Sequence, residues 1–166
     1  MTLLVDLYAD KLTAAESTEA WTIANLRGAV AWLRDRPFVR SDRIGAVGFY
    51  AGGSYAMQLA GGPEHTQAAV AFYAPLGAAV QAALAARAPV LAFYGGQGAP
   101  PDGIEHLKQA LPIQNGHAVV LYPNAVDGFF NERSASFKFE SAEDAWSRSN
   151  KFLYRHLGEP AENHER

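Results

Sequence analysis

Solid runs of small and branched apolar residues recur along this chain, and each is followed by a stretch of helical character. "RIGAVGF" (43–49) precedes "AGGSYAMQLAG", "QAAVAFYAP" (67–75) precedes an alanine-rich stretch at 78–86, "APVLAFYGG" (88–96) precedes "DGIEHLKQALPIQNG" (102–116), and "HAVVLYP" (117–123) precedes the last helical segment. Strands apolar on both faces belong to parallel sheets covered by helices on two sides. Ahead of them, "TLLVDLY" (2–8) reads as a first strand. Apolar Ile23, Leu26, Val30 and Leu33 then give one face of a helix from Glu19 to Arg36, ended by Pro37. Ser141 and Asp144 have capping-box spacing and predict a helix from there to Leu157, stopped by Gly158 and Pro160. The expectation is one α/β domain over 1–158 with about five mostly parallel strands, and a loose tail at 159–166. In such sheets ligands sit beyond the carboxyl ends of the strands, here the loops after residues 49, 96 and 123.

Composition removes several function classes. The 166 residues carry a formal net charge of -3 without a run of Lys or Arg, so no nucleic-acid-tracking surface is expected. No apolar stretch is long enough for a membrane span, and "MTLLVDLYAD" lacks the basic start of a secretory leader, so the cytoplasm is the expected location. The chain has no cysteine, which excludes disulfides, thiolate metal sites and thiol nucleophiles. The five histidines, His65, His106, His117, His156 and His164, show no metal-ligand spacing. Neither a metal nor a cofactor is expected.

One segment has a layout tied to chemistry. In "IGAVGFYAGGSYAMQLA" (44–60) a strand turns directly into a helix, with glycines at 48, 52 and 53 where the two elements must pass closely. Such an elbow displays its central side chain, here Tyr50. Glycine-rich turns of this kind also cradle phosphates or simply save space, so the spacing alone leaves both readings open.

"DLY" near the start, "VGFYAGG" at the elbow, "VAFYAP" after the third strand, "YPNAVDGFFNE" after the fifth and "AEDAWSRSNKFLYRHL" in the last helix together resemble the dienelactone hydrolase family, over about residues 5 to 157. The resemblance implies a truncated α/β-hydrolase-like three-layer sandwich. It also implies a Cys or Ser nucleophile, an aspartate and a histidine at positions that fall here on Tyr50, Gly98 and Asp127, none of which matches. Asp102, four residues past the acid position, substitutes only if that loop is rebuilt. By the same resemblance "LLVDLY" looks like the family's fourth strand. The strand that lies between it and the elbow strand is then missing, and residues 2–8 would pair against 44–48 or a neighbouring molecule would cover the gap. A homo-oligomer is therefore expected.

A phenol is a poor substitute for an activated thiol or hydroxyl, and a carboxylate at 127 cannot relay a proton as an imidazole does. The expected function is that of a non-hydrolytic homologue, a pseudoenzyme that binds a small ligand or serves as a subunit. Phe49, Tyr94, Phe129 and Phe130 are its expected apolar walls. In the alternative, Tyr50 and Asp127 face each other and act as an enzyme's proton-moving pair, in a hydrolase, isomerase or cyclase on a small lactone or aromatic substrate.

Overall fold

The computed structural model describes residues 1–6, 18–64, 66–111 and 113–158. Among them the chain runs α1 (Glu19–Arg34), β1 (Gly45–Phe49), α2 (Ala51–Gly61), β2 (Ala68–Phe72), α3 (Leu76–Ala85), β3 (Val90–Gly95), α4 (Pro101–Ala110), a 3-10 turn (Ile113–Asn115), β4 (Ala118–Tyr122) and α5 (Phe139–Leu157). The strands pair in chain order and every pair is parallel. Every residue of β2 and β3 is buried, the burial that their unbroken apolar runs anticipate. Register brings Phe49, Phe72 and Phe93 side by side, and their rings stack at 4.6 and 4.9 Å between centroids.

The two faces of β1 are read from its glycines. A Cβ on Gly45 would meet Leu153 and Leu157 of α5, whereas one on Gly48 would collide with the α2 backbone. Side chains alternate along a strand, so Val47 and Phe49 share the α5 side with Gly45. Yet α5 covers that side only at the Gly45 end, and Val47 and Phe49 stay 53% and 42% exposed. On the other face α2 lies against β1 and β2, and α3 bridges α2 and α4. Helix α1 adds a small second core in which Val30, Ile44 and Leu59 are joined by Ile23, Leu26 and Leu33, the periodic face seen in the sequence. Thr18 caps it by accepting the Trp21 N–H at 3.2 Å. Arg27 ties it to Glu64 beyond α2 at 3.0 Å.

Three expectations change. Residues 2–6 form no strand, and residues 7 and 8 lie outside the described part; β1 is an edge, with no strand on its outer side among the described residues. Leu3 and Leu4 are exposed, and a three-residue apolar run with no face to bury has nothing to fix a register. Among the described residues the sheet therefore has four strands, where about five were expected. Helix α5 starts at Phe139, so Ser141 lies buried inside it instead of capping it. Asp144 does other work. It accepts the Tyr122 hydroxyl at 2.8 Å and the Arg148 Nε–H at 2.6 Å, pinning α5 to β4. The segment 102–116 divides into α4 and the 3-10 turn. No helix among the described residues is long and apolar enough to cross a membrane.

Candidate active site

Tyr50 joins β1 to α2 with φ 51° and ψ -124°, a region that side chains other than glycine rarely enter. Its neighbours dictate this. A Cβ on Gly48 would lie 1.9 Å from the Gly52 carbonyl oxygen, and one on Gly53 would crowd Ala74 and the Phe72 carbonyl. Strand and helix thus approach as closely as backbone permits, and the turn can close only through a left-handed residue. The Tyr50 N–H donates to the Phe72 carbonyl at 3.0 Å, and its carbonyl accepts from Gly53 at 2.9 Å, fixing the apex on both sides. A nucleophile elbow is present, with a tyrosine displayed and 53% exposed.

Tyr73, one residue past β2, is the other non-glycine residue with positive φ among the described residues, at 40°. Its ring lies 4.5 Å from that of Tyr50 and 5.6 Å from Phe129. Burial, then the nearby Tyr50 and Asp127, push its phenol up to about 12, so it is a proton donor at neutral pH. The sequence reading missed this residue. "VAFYAP" marked the segment, but only the backbone angle shows that its tyrosine is held against the elbow.

Asp127 stands where the chain returns over the end of β3. Gly95 makes this possible, since a Cβ there would lie 2.3 Å from the Val126 carbonyl carbon. The Gly95 N–H donates to Asp127 Oδ1 at 2.9 Å, while the residue as a whole remains exposed. The Tyr50 oxygen reaches the adjoining residue: a Cβ on Gly128, whose φ is +90°, would sit 2.6 Å from it. No hydrogen bond joins Tyr50 to Asp127 among the described residues. Gly98 sits in an exposed loop with φ +100°, far from the geometry an aspartate prefers. Asp102 lies in the first turn of α4.

The expected apolar walls divide. Phe49 and Phe130 flank the elbow with rings 5.7 Å apart. Phe129 and Tyr94 are fully buried core residues. The Tyr94 hydroxyl has no hydrogen-bond partner among the described residues, and burial with the nearby Asp127 raises its pKa. Of the histidines, His117 Nδ1 accepts the Val90 N–H at 3.0 Å at the amino end of the sheet. Burial holds it neutral by lowering its pKa. His156 packs on Phe152 at 4.6 Å and lies next to Gly116, again at the amino end. His106 lines a groove of about 500 Å³ between α3 and α4, together with Leu76, Val80 and Leu84. This groove does not include the elbow. His65 and His164 lie outside the described residues. No cluster of three potential metal ligands occurs among the described residues.

The frame has counterparts elsewhere. The chain matches the pattern of the Dienelactone hydrolase family over residues 7–157. It is 34% identical over 115 residues to the "Putative carboxymethylenebutenolidase" of Saccharolobus solfataricus, covering 68% of this chain and 44% of that protein. With the protein of the same name from Escherichia coli K12 it shares 30% identity over 146 residues, 81% of this chain and 54% of the other. The chain thus spans about half the length of these curated relatives. The crystal structure of a "Putative Dienelactone Hydrolase" from Klebsiella pneumoniae superposes with a TM-score of 0.76 at 28% identity, over 92% of this chain and 68% of that one. An elbow between parallel strand and helix, the returning loop at 126–130 and the match over nearly the whole chain agree: this protein belongs to the dienelactone hydrolase family.

Proposed function

We propose that this family member binds a small ligand at its elbow and does not hydrolyse esters there. The observation that carries the reading is the placement of Tyr50. Its side chain extends from the apex to the backbone of Gly128, across the space between elbow and last loop where a nucleophile and an imidazole would meet, and it makes no hydrogen bond to Asp127. Acyl transfer needs a nucleophile whose proton is taken by a positioned base. Among the described residues Tyr50 has no such base beside it, and His106, His117 and His156 lie elsewhere.

A second reading, in which Tyr50 and Asp127 move a proton on a lactone or aromatic ligand, is favoured by the two left-handed tyrosines, because backbone strain concentrates at functional sites. A panel of p-nitrophenyl and butenolide esters assayed with the protein and with Tyr50→Phe separates the two. No turnover by either supports the binder; turnover that disappears with the phenol hydroxyl supports the enzyme. We further propose a cytoplasmic homo-oligomer in which a second copy pairs along the outer edge of β1, leaving the elbow face open.

A further inference from the structure

The carboxyl ends of β1 and β2 present an aromatic surface beside one carboxylate. The Phe49 ring lies 5.7 Å from Phe130 and 6.1 Å from Tyr73, and Tyr73 lies 4.5 Å from Tyr50. Phe49 and Tyr50 are both solvent-exposed, so these rings offer faces to a ligand. Asp127 is exposed at the same end of the sheet, and the Gly95 N–H engages its Oδ1, which orients the carboxylate.

The sign of the local field follows from the same neighbours. Among the described residues, the groups that act electrostatically on the Tyr73 phenol are Tyr50 and Asp127, Asp127 is the one that acts on Tyr94, and no lysine or arginine contributes at either phenol. Histidine at position 127 would leave this surface neutral or positive. The carboxylate makes it negative. Aromatic faces attract cations through their quadrupole, and a carboxylate adjoining them supplies the counter-charge. Anionic ligands face repulsion here.

We propose that the surface formed by Phe49, Tyr50 and Phe130, backed by the buried Tyr73, binds with Asp127 an organic ammonium ion, its alkyl groups against the exposed rings and its charge toward the carboxylate. This rests on the reading of the elbow as a ligand site without ester hydrolysis. The ligand class is a small alkylammonium, in contrast to a neutral molecule of the same shape.

Amide and aromatic NMR shifts test the assignment, with choline as the cation and 3,3-dimethylbutan-1-ol as its uncharged isostere. Choline should shift Tyr50, Tyr73 and Gly128 saturably, with the isostere at least about five-fold weaker. Asp127→Asn keeps an oxygen for the Gly95 N–H, and dispersed spectra confirm that it folds. It should weaken choline by about five-fold or more and leave the isostere unchanged. Equal affinities for choline and its isostere, an unaffected Asp127→Asn, or no saturable shift with choline would each overturn the proposal. Turnover of esters would instead overturn the non-hydrolytic reading, whether or not choline binds.

Discussion

Tyr50 and Tyr73 occupy the carboxyl ends of neighbouring parallel strands, both with positive φ, and their rings meet at 4.5 Å. The two strained positions support each other. Tyr50 is forced left-handed by the tight passage of β1 against α2, and Tyr73, itself left-handed, packs directly against the displayed ring. Relief at either residue therefore carries a loss of contact at the other.

Glycine substitutions around the elbow should separate in sign. Gly48→Ala places a methyl 1.9 Å from the Gly52 carbonyl oxygen, and unfolding by urea should show a loss of more than about 3 kcal/mol. Gly52→Ala meets nothing within 4 Å and lies within α2, so it should gain about 0.5–1 kcal/mol. Equal effects from the two substitutions would contradict the close strand-helix passage described here.

Gly128→Ala tests the reach of Tyr50 to the last loop. Its Cβ would lie 2.6 Å from the Tyr50 oxygen, on a backbone with φ +90°, and a cost of about 2 kcal/mol or more is expected. In a Tyr50→Phe background the missing oxygen relieves the collision, and the cost should fall by about 1 kcal/mol. Additivity in this double-mutant cycle would place the hydroxyl elsewhere.

Stability should fall as the solution is acidified through the ordinary imidazole range. Burial lowers the pKa of His117 in the folded state, and the unfolded chain therefore takes up a proton that the folded chain resists. The contribution is complete above about pH 6.5 and declines as pH drops toward the folded-state value. His117→Gln retains an acceptor for the Val90 N–H and should flatten the decline between pH 7.5 and 5.5. His156, lowered by burial and then by Arg155, leaves a residual slope of the same sign. A variant as pH-dependent as the parent would refute the assignment to His117.

Asp144 gives a second acid-dependent element, at lower pH. Its carboxyl is held below the usual range by Arg148 and by the Tyr122 hydroxyl, so it stabilises above about pH 3.9 and loses that contribution as pH falls through the folded-state value. Asp144→Asn should lower the urea midpoint at pH 7, and its gap to the parent should narrow as pH falls below about 3.9. A constant gap across that range would show that the side chain acts through packing rather than charge.

The sheet was legible because β2 and β3 are buried on both faces, and such strands must be apolar at every position. The elbow was equally legible, since only glycine fits at 48 and a Cβ at 53 would crowd Ala74 and the Phe72 carbonyl. Residues 2–6 misled because an apolar run becomes a strand only where a neighbour and a face await it, and neither can be read locally. Ser141 misled because its spacing to Asp144 fits a cap, while the long-range bond from Tyr122 determines what Asp144 does. Tyr73 was hidden for another reason. Its role depends on a dihedral angle imposed by neighbouring strands, and the residue type carries no trace of it. Tyr50 and Asp127 were singled out by the substitutions they represent, but whether they touch depended on where loop 126–130 settles over Gly95.

The most direct test of the central claim, that the elbow is intact while ester chemistry is absent, is intact-mass spectrometry of the protein during exposure to p-nitrophenyl acetate, with p-nitrophenol release followed in parallel. Release at the buffer rate and no acetyl group on Tyr50 are expected. Acetylation of Tyr50 accompanied by sustained release that Tyr50→Phe abolishes would contradict it.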